Sequence, residues 1–567
     1  MRPTASLLRV RDLSLTHADV AHPTPQNVSF DVAAGEVVLV LGPSGSGKST
    51  LTLALNGLIP QSVPAEVSGS VEVNGHDAAT TPVATLSTDV AMVFQDPDAQ
   101  MVTGTVLDEV AFALENLLLP VDEVLTRAER ALRRMGLWTR RDWNPDRLSG
   151  GGRQRLAIAC ALAMGSSLIV LDEPTANLDT RGIDEVYAAL QELISDGDRA
   201  IVLVEHNLDA ALRFASRVIV LDRSGRLAFD GPAAEVIRTH TDALLEMGVW
   251  LPSATLVGRM LRERGILPAS TPLPLTPEQL SAAIPADAVR AEAAGQQTPS
   301  PTVESQADTL IRVRGLSIRR GRSEVLHGID LDIPAGSLTA IIGANGAGKT
   351  TLIQALAGVL PAPKRQVSID GMDPATTSPR ELAAHVGFVF QNPEHQFIAH
   401  TVFDELAHGL RLRRVPEPEI RERVAEMLER FGLTHKSEVH PFLLSGGEKR
   451  RLSVGTALIT RPRVLALDEP TFGQDRARAT ELLHLLRDLR DEGTTIVLVT
   501  HDLQLVADHA DHTVMLADGR VHATGPTDDL FARDELFDEA GLRLPALHRA
   551  VPAALRRLLS APAGEGR

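Results

Sequence analysis

Two stretches of this chain combine residue types and spacing that bind phosphate groups. Both fit the pattern G-x-x-x-x-G-K-[ST], in which glycines let the backbone turn tightly and point successive N–H groups at an anion. The lysine adds a positive charge near the terminal phosphates, and the hydroxyl after it, of Ser49 or Thr350, suits Mg²⁺. With one further residue each, the predicted nucleotide-binding loops are Gly42, Pro43, Ser44, Gly45, Ser46, Gly47, Lys48, Ser49 and Thr50, and Gly343, Ala344, Asn345, Gly346, Ala347, Gly348, Lys349, Thr350 and Thr351.

The residues on either side of these loops predict the elements that position them. Residues 37–41 and 338–342 are apolar and typical of buried strands. Leucines at helical spacing follow each loop, so the N-terminus of a helix is expected to face the phosphate. These leucines are Leu51, Leu55 and Leu58 in the first case and Leu352, Leu356 and Leu360 in the second. One match could arise by chance, but two in the same strand–helix context make that explanation negligible.

Composition limits the class of protein. The chain has 567 residues, enough for more than one domain, and no apolar run approaches the length that spans a bilayer. The N-terminal residues lack the apolar core of a signal peptide, and the single cysteine, Cys160, excludes an internal disulfide and suits plain packing in a reducing compartment. The formal net charge of −17 disfavours a nucleic-acid partner.

The chain repeats itself. Residues 8–14 return as residues 311–317, and five later motifs recur in the same order at an offset that falls only from 303, for Leu8 and Ile311, to 295, for His206 and His501. A nearly constant offset over so long a stretch indicates a duplicated domain. Strand and helix patterns alternate in each copy, which predicts an α/β fold of two tandem phosphate-loop domains, each a mostly parallel sheet flanked by helices.

The predicted boundaries follow from a change in composition. Residues 268–301 carry seven prolines with alanine, threonine and glutamine, and we predict an extended linker at 268–308 with one short helix at 277–284. The two domains are then residues 1–267 and 309–567. Each is expected to end in a small helical appendage, at 256–264 and 550–559, which packs on its own domain or on the other copy.

A glutamine and an acidic pair follow each phosphate loop. Gln95 and Gln391 end a strand pattern, where a side-chain oxygen can reach Mg²⁺ and the attacking water. Two further buried strands end in an Asp-Glu pair. We predict that Asp172 and Asp468 hold Mg²⁺ through its water shell and that Glu173 and Glu469 orient and deprotonate water. Taken singly, such residues are more often ordinary loop or solvated strand-end residues, so the prediction depends on their order.

Two motifs complete each set. A Ser-Gly-Gly at a helix start presents a hydroxyl and bare N–H groups that suit a γ-phosphate, although an ordinary helix cap has the same form. His206 and His501 end strands and could contact the γ-phosphate and hold the glutamate, whereas a lone histidine there is usually structural. The Ser-Gly-Gly residues are Ser149, Gly150, Gly151, Ser445, Gly446 and Gly447.

This set, present twice, resembles the nucleotide-binding domains of ATP-binding-cassette proteins. The resemblance implies ATP and Mg²⁺ as cofactors, a helical subdomain in each copy, and binding roles for Asp179 and Asp475. In that family two domains clamp head to tail, so Ser445, Gly446 and Gly447 would complete the site of Lys48. The first signature would complete the site of Lys349. The linker makes this pairing intramolecular, an internal pseudo-dimer.

Within that family the chain is similar to the ATPase subunits of energy-coupling-factor importers. The similarity is carried by the segments QDPDAQ at 95–100, QNPEHQ at 391–396, LSGGEKRRL at 444–452 and PTFGQD at 470–475. It implies a peripheral protein at the cytoplasmic face of the cell membrane. Its partners would be an integral membrane coupling protein and a membrane substrate-capture protein, and its cargo a vitamin, a vitamin precursor or a transition-metal ion.

Departures from the family pattern leave two points open. The family often stacks the nucleobase on an aromatic residue upstream of the loop, but the only tyrosine, Tyr187, lies well downstream, so the candidates are His17, His22, Arg319, Arg320 and Arg322. Gly152 stands where glutamine is usual, which predicts a looser signature loop. Two rival functions share the motifs: a fused sugar- or peptide-import ATPase, and a soluble translation factor, which the proline-rich linker and acidic charge disfavour.

Apolar residues just past each glutamine could receive a helix from a membrane partner. They are Met101, Val102, Val106, Phe397, Ile398 and Val402, and the alternative is that they fill the core beneath the loop.

Overall fold

The computed structural model describes most of the chain. The described residues are 6–17, 22–175, 178, 180–195, 197, 199–205, 208–287, 308–321, 323–471, 476–545, 548 and 551. The chain divides into a first unit, Met1–Ile284, and a second unit, Pro285–Arg567. Each unit is described by itself.

The first unit contains two sheets. Its strands are β1 Ser6–His17, β2 Val28–Ala33, β3 Val37–Leu41, β4 Ala65–Val73, β5 His76–Asp77, β6 Val90–Val93, β7 Leu168–Asp172, β8 Ala200–Val204, β9 Arg217–Leu221 and β10 Leu227–Pro232. Its helices are α1 Lys48–Leu55, α2 Leu58–Gln61, α3 Val83–Leu86, α4 Val106–Asn116, α5 Val121–Arg134, α6 Gly150–Met164, α7 Thr180–Ile194, α8 Leu208–Ala211, α9 Ala233–Thr239, α10 Thr241–Met247, α11 Ser253–Glu263 and α12 Pro277–Ala283. Short 3₁₀ turns lie at Pro97–Gln100, Trp138–Arg140 and Pro145–Arg147.

The second unit repeats this order. Its strands are β11 Thr309–Arg320, β12 Ser323–Pro334, β13 Leu338–Gly343, β14 Val367–Ile369, β15 Val386–Val389, β16 Val464–Asp468, β17 Thr495–Val499, β18 His512–Ala517 and β19 Arg520–Pro526. Its helices are α13 Lys349–Leu356, α14 Pro379–Leu382, α15 Val402–Leu412, α16 Glu417–Arg430, α17 Gly446–Leu458, α18 Arg476–Asp491, α19 Leu503–His509, α20 Thr527–Phe531 and α21 Asp534–Glu539. Short 3₁₀ turns lie at Pro393–Gln396, Thr434–Lys436 and Pro441–Leu443.

The larger sheet of each unit brings the predicted motifs to one edge. The strand order is β10-β9-β3-β8-β7-β6 in the first unit and β15-β16-β17-β13-β18-β19 in the second. All neighbours are parallel except the β9–β10 and β18–β19 pairs. The phosphate loop follows β3 and the acidic pair follows β7, with β8 between them, so the carboxyl ends of the three strands meet.

The strands are buried because their sequences are apolar throughout. Every residue of β3, β7 and β8 is buried, as expected for a parallel sheet covered on both faces. The smaller antiparallel sheets, β2-β1-β4-β5 and β12-β11-β14, alternate buried and exposed positions along much of their strands and pack on the core through one face. These features confirm the predicted pair of α/β phosphate-loop domains.

Three local findings differ from or refine the sequence predictions. The helices after the phosphate loops end sooner than the leucine spacing predicts, because Gly57 and Gly358 have left-handed φ angles of 77° and 69°. Leu58 therefore begins the separate helix α2. Cys160 packs against the core of the first unit, as predicted, and burial raises the pKa of its thiol.

Part of the segment predicted to be an extended linker packs on the first unit. Residues 268–284 belong to that unit, the short helix α12 lies where one was predicted, and Leu280 is fully buried. The hydroxyl of Thr255 in α11 donates to the carbonyl of Pro274 at 2.7 Å. The appendage predicted at 256–264 is helix α11, whereas the one at 550–559 lies outside the described residues apart from Val551.

No helix in the described ranges is long and apolar enough to cross a membrane.

Candidate nucleotide-binding and hydrolysis sites

Each phosphate loop is closed on itself by its lysine. The ammonium of Lys48 donates to the carbonyl oxygens of Gly42 and Pro43 at 2.8 and 3.0 Å. Lys349 makes the same pair of bonds to Gly343 and Ala344 at 2.8 and 3.2 Å. Both lysines are the first residue of a helix, α1 or α13. The charge therefore lies at a helix N-terminus, where anions bind.

The loops require glycine for physical reasons that fit phosphate. A Cβ at Gly42 would lie 2.6 Å from the hydroxyl oxygen of Ser46, and one at Gly343 would lie 2.4 Å from the carbonyl oxygen of Leu516. At Gly45 and Gly346, where φ is 80° and 85°, a Cβ would meet nothing within 4 Å, so these backbones border open space. The buried hydroxyl of Ser46 makes no hydrogen bond to the described residues. The loops thus fit a nucleotide phosphate chain.

The donor set at each site also fits Mg²⁺. The hydroxyl of Thr350 donates to Asp468 Oδ1 at 3.3 Å, and burial next to Glu469 raises the pKa of Asp468 to about 6. Ser49 and Asp172 occupy the corresponding positions in the first unit. Within the described ranges no cluster of three or more His, Cys, Asp or Glu side chains could hold a metal ion alone. Magnesium would accordingly complete its shell with phosphate oxygens and water.

The two predicted catalytic glutamates share an unusual backbone. Glu173 and Glu469 have φ angles of 49° and 50°, in the left-handed region that non-glycine residues rarely adopt. Their N–H groups donate to the carbonyls of Val204 and Val499, both at 2.9 Å, which attaches each strand end to its neighbour. Such conformations cluster at functional sites because the surrounding sheet must stabilise them.

Each glutamate has a side-chain partner among the described residues. In the first unit the amide of Gln95 donates to Glu173 Oε2 at 3.0 Å. In the second unit Nδ1 of His501 lies 2.9 Å from Glu469 Oε2. Burial alone would raise the pKa of Glu469, but the charge and hydrogen bonds of His501 lower it overall, and Glu469 in turn raises the pKa of His501. The structure therefore brings together Gln95 with Glu173, and His501 with Glu469. Gln391 is exposed at the start of its loop.

Each signature serine caps the helix that follows it. Ser149 Oγ accepts from the N–H of Gly152 at 3.2 Å, and Ser445 Oγ accepts from the N–H of Glu448 at 3.4 Å. Only the second signature has a residue that can return the bond: the N–H of Ser445 donates to Glu448 Oε2 at 2.8 Å. The second signature is thus a complete capping box with two hydrogen bonds. The first signature, with Gly152 in place of a glutamate, makes only the bond to the serine hydroxyl.

Several predicted residues fall outside the described part of the chain: His206, Asp179, Asp475 and the stacking candidate Arg322. Of the other stacking candidates, Arg320 donates to the side chain of Gln354 at 2.8 Å.

The sequence analysis did not identify a buried polar cluster in the first unit. Glu205, which precedes His206, accepts hydrogen bonds from the hydroxyls of Thr175 and Tyr187. Burial and the Glu205 charge raise the pKa of Tyr187 well above its usual value. The signal was an acidic residue in an otherwise apolar strand end, at the position of Thr500 in the second copy.

The sequence analysis also missed two buried acids that order the segment after each glutamine loop. Glu109 Oε2 accepts from the N–H groups of Val102 and Thr103 at 3.1 and 2.7 Å. Glu405 Oε2 accepts from those of Ile398 and Ala399 at 2.9 and 2.7 Å. These bonds hold the backbone of both segments in a fixed conformation.

The six apolar residues considered for docking separate into two groups. Val102 and Ile398 are exposed, at 66% and 65% of their possible surface. Val106, Val402 and Phe397 are buried in the cores, and Met101 packs partly against the first core. For Val106, Val402 and Phe397 the core alternative is correct, and helices α4 and α15 turn Val106 and Val402 inward. Met101 is half-buried against the core.

The chain matches one family model and is similar to several known proteins. The family model described as ABC transporter matches residues 25–176 and 326–472. The chain is 36% identical over 553 residues, 97% of each chain, to a protein of Bacillus subtilis (strain 168), YkoD, named for HMP/thiamine import and ATP binding. It is 36% identical to the ABC transporter ATP-binding protein SCO2324 of Streptomyces coelicolor over 92% of this chain and 94% of that one. A solved structure, cbiO1 of Clostridium perfringens, described as part of the ABC transporter complex cbiONQ, is 33% identical with a TM-score of 0.37 and covers 43% of this chain and 98% of its own.

Proposed function

The chain belongs to the ABC transporter family and is an ATPase, and on that premise we propose that it is the energy-coupling subunit of a membrane importer of the energy-coupling-factor type. The cargo class would be a vitamin, a vitamin precursor or a transition-metal ion. The name of the B. subtilis relative, which is similar across 97% of both chains, supports import of a vitamin precursor or vitamin.

In this proposal both sites hydrolyse ATP, each with the lysine and glutamate of its own unit. Lys48 and Lys349 bind the terminal phosphates, and bound Mg²⁺ would supply positive charge for the developing negative charge on the phosphoryl oxygens. Glu173 and Glu469 accept a proton from the attacking water and orient it. The hydrogen bond from Gln95 and the His501 imidazole keep these carboxylates in place, so little reorganisation is needed at the moment of reaction.

We further propose that the two units pair head to tail as an intramolecular pseudo-dimer. Ser445, Gly446 and Gly447 then complete the site of Lys48, and Ser149, Gly150 and Gly151 complete the site of Lys349. The N-termini of α17 and α6 would each direct free N–H groups at a γ-phosphate. Asp179 and Asp475 would lie at this interface, as the family resemblance implies.

One observation carries the proposal of a membrane partner. Of the eleven large apolar side chains that are exposed in the described residues, ten lie in the helical regions between glutamine loop and signature, and the other is Val359. A concentration of exposed large apolar side chains in one region of each domain suits an interaction surface. The ten are Val102, Phe112, Leu118, Val121, Leu125, Trp143, Ile398, Leu412, Phe442 and Leu443.

Val102 and Ile398 are the most informative of these residues. The backbone N–H of Val102 donates to the buried Glu109, and that of Ile398 donates to the buried Glu405. Each exposed apolar side chain therefore belongs to a segment whose backbone is held in place. Such a surface suits an amphipathic helix of an integral membrane protein, and preorganisation lowers the entropy cost of binding. The protein would then sit at the cytoplasmic face of the membrane.

The test is purification of the tagged full chain from its own cells in mild detergent, followed by identification of bound membrane proteins. We expect a coupling protein and a small substrate-capture protein, and we expect Val102→Asp with Ile398→Asp to lose both while ATP binding persists. Val359→Asp, an exposed apolar residue outside the helical regions, is the matched control. Recovery with a solute-binding-protein-dependent permease would favour the sugar- or peptide-import alternative, and co-sedimentation with ribosomes would contradict the proposal.

A further inference from the structure

A buried arginine attaches the glutamine loop of the second unit to its own signature helix. Arg450 lies in α17 and is only 3% exposed. Its Nη1 donates to the carbonyl of Phe390 at 2.7 Å and its Nη2 to the carbonyl of Gln391 at 2.5 Å. Hydrogen bonds from a charged donor are roughly twice as strong as neutral ones, and burial excludes water that would compete for the same carbonyls.

A second attachment lies one turn further along the same helix. Gln396, at the end of the loop, donates through Nε2 to the carbonyl of Ser453 at 2.9 Å and accepts from the Ser453 hydroxyl at 2.7 Å. It also bonds the hydroxyl of Thr456. Both ends of the loop, Gln391 and Gln396, are therefore bonded to α17.

The first unit has different residues at the three positions on the signature helix. Gln154 occupies the position of Arg450, and Ala157 and Cys160 occupy those of Ser453 and Thr456. Gln154 is fully buried, and neither its Nε2 nor its Oε1 makes a hydrogen bond to a described residue. Gln100, the counterpart of Gln396, bonds Met92 and Phe94 of its own chain segment instead, at 3.1 and 3.0 Å.

One ion pair between loop and helix is the same in both units. Arg153 pairs with Asp98 at 2.6 Å, and Lys449 pairs with Glu394 at 2.5 Å. Partly exposed pairs of this kind contribute little stability. This pair is common to both units, whereas the buried bonds of Arg450 and Gln396 belong to the second unit.

We propose that Arg450 is a positioning residue for Gln391: together with Gln396 it fixes the second glutamine loop to α17, while the first glutamine loop lacks these buried bonds and is held less firmly on α6. Movement of the second loop is consequently transmitted to the second signature as a rigid body. In the first unit the described contacts of the loop are the bond between Gln95 and Glu173, the bonds of Gln100 to Met92 and Phe94, and the Asp98–Arg153 pair. The two ATP sites are therefore unequal in mechanics although their catalytic residues match.

Hydrogen–deuterium exchange of the purified full chain, read by mass spectrometry, tests this without any membrane partner. In the wild-type protein we expect the amides of residues 391–399 to exchange more slowly than those of 95–103. In Arg450→Gln, which installs the residue that the first unit already buries, exchange at 391–399 should rise on the order of tenfold, while strand β16 is unchanged. Gln154→Arg should slow exchange at 95–103.

Kinetics supply a second readout. Arg450→Gln should lower kcat and leave KM for ATP unchanged, because Gln391 acts on metal and water and not on the base. Arg450→Lys can donate well to only one of the two carbonyls, so its kcat should lie between those of the wild type and Arg450→Gln. Equal exchange of the two loops in the wild-type protein overturns the proposal. An Arg450→Gln protein with unchanged amide exchange at 391–399 also overturns it. Faster exchange in both the loop and β16 would overturn it too, because Arg450 would then have a purely structural role. All these results are independent of whether the chain serves an importer.

Discussion

Oε2 of Glu469 lies 2.9 Å from Nδ1 of His501 and accepts the backbone N–H of the same histidine at 3.4 Å. Two nitrogen atoms of His501, just after β17, thus contact the carboxylate of Glu469, just after β16. The negative charge of Glu469 raises the pKa of His501, so a proton stays on the ring. The carboxylate is oriented before any water arrives.

His501→Ala should lower ATP turnover at the second site by about 10²-fold, the size of a typical acid–base contribution, with an unchanged melting temperature. The measurement is steady-state hydrolysis in a Glu173→Gln background, which silences the first site. His435→Ala, an exposed histidine in the same unit, is the control. Turnover that survives His501→Ala would mean that the contact is structural.

The signature caps predict opposite effects of two substitutions. Gly152→Gln supplies the side chain that the first cap lacks and removes a flexible glycine, which should add about 0.5–1 kcal/mol to stability. Its Cβ would lie 3.1 Å from Cβ of Leu148, so part of this gain is lost to a local shift. Glu448→Gly should cost about 1 kcal/mol. Urea unfolding measures both.

Gly152→Gln should also tighten ATP binding at the Lys349 site in the pseudo-dimer, because a less flexible signature loses less entropy on closing. Equal nucleotide affinity in the two proteins would contradict this account of the asymmetry.

The capping box of the second unit has a definite pH dependence. Burial would raise the pKa of Glu448, but the bonds with Ser445 and the charges of Lys436 and Arg451 lower it below its usual 4.5. A lowered folded pKa stabilises the protein above the unfolded value and loses this contribution as pH falls through the folded one. The stability difference between wild type and Glu448→Gly should therefore be constant above about pH 5 and shrink below about pH 4. A difference that grows on acidification would refute the assignment.

Two adjacent residues at the second glutamine loop should differ in how much an introduced charge destabilises the protein. Phe397 is 7% exposed within the core, so Phe397→Asp should destabilise the second unit by at least about 3 kcal/mol. Ile398→Asp should change stability by less than about 0.5 kcal/mol. Thermal unfolding of the soluble protein distinguishes them, and similar melting temperatures would show that the burial pattern is wrong.

The sequence predicted what is local and repeated. Loop, strand and helix patterns recur around Lys48 and Lys349, so the two α/β domains and their order of motifs followed from spacing alone. The contact between His501 and Glu469 was anticipated because the carboxyl ends of neighbouring parallel strands must meet.

The missed features depend on contacts between distant segments. Nothing near Arg450 in the sequence indicates that it reaches the carbonyls of Phe390 and Gln391, nor that Gln154 is left without such a bond. Val106 and Val402 face the core because of the residues at which α4 and α15 begin. A short run of apolar residues in the sequence does not determine those starting points. Residues 268–284 looked like a linker from their prolines, yet Leu280 and its neighbours had enough apolar surface to pack.

The central claim is that both composite sites hydrolyse ATP. The direct measurement is the steady-state ATPase rate of the purified membrane complex with Glu173→Gln, with Glu469→Gln, and with both substitutions, alongside the amount of ATP retained. We predict that each single substitution slows turnover and traps ATP, and that the double substitution abolishes turnover. A single substitution that leaves the steady-state rate unchanged would show that its site does not hydrolyse ATP and would contradict the account.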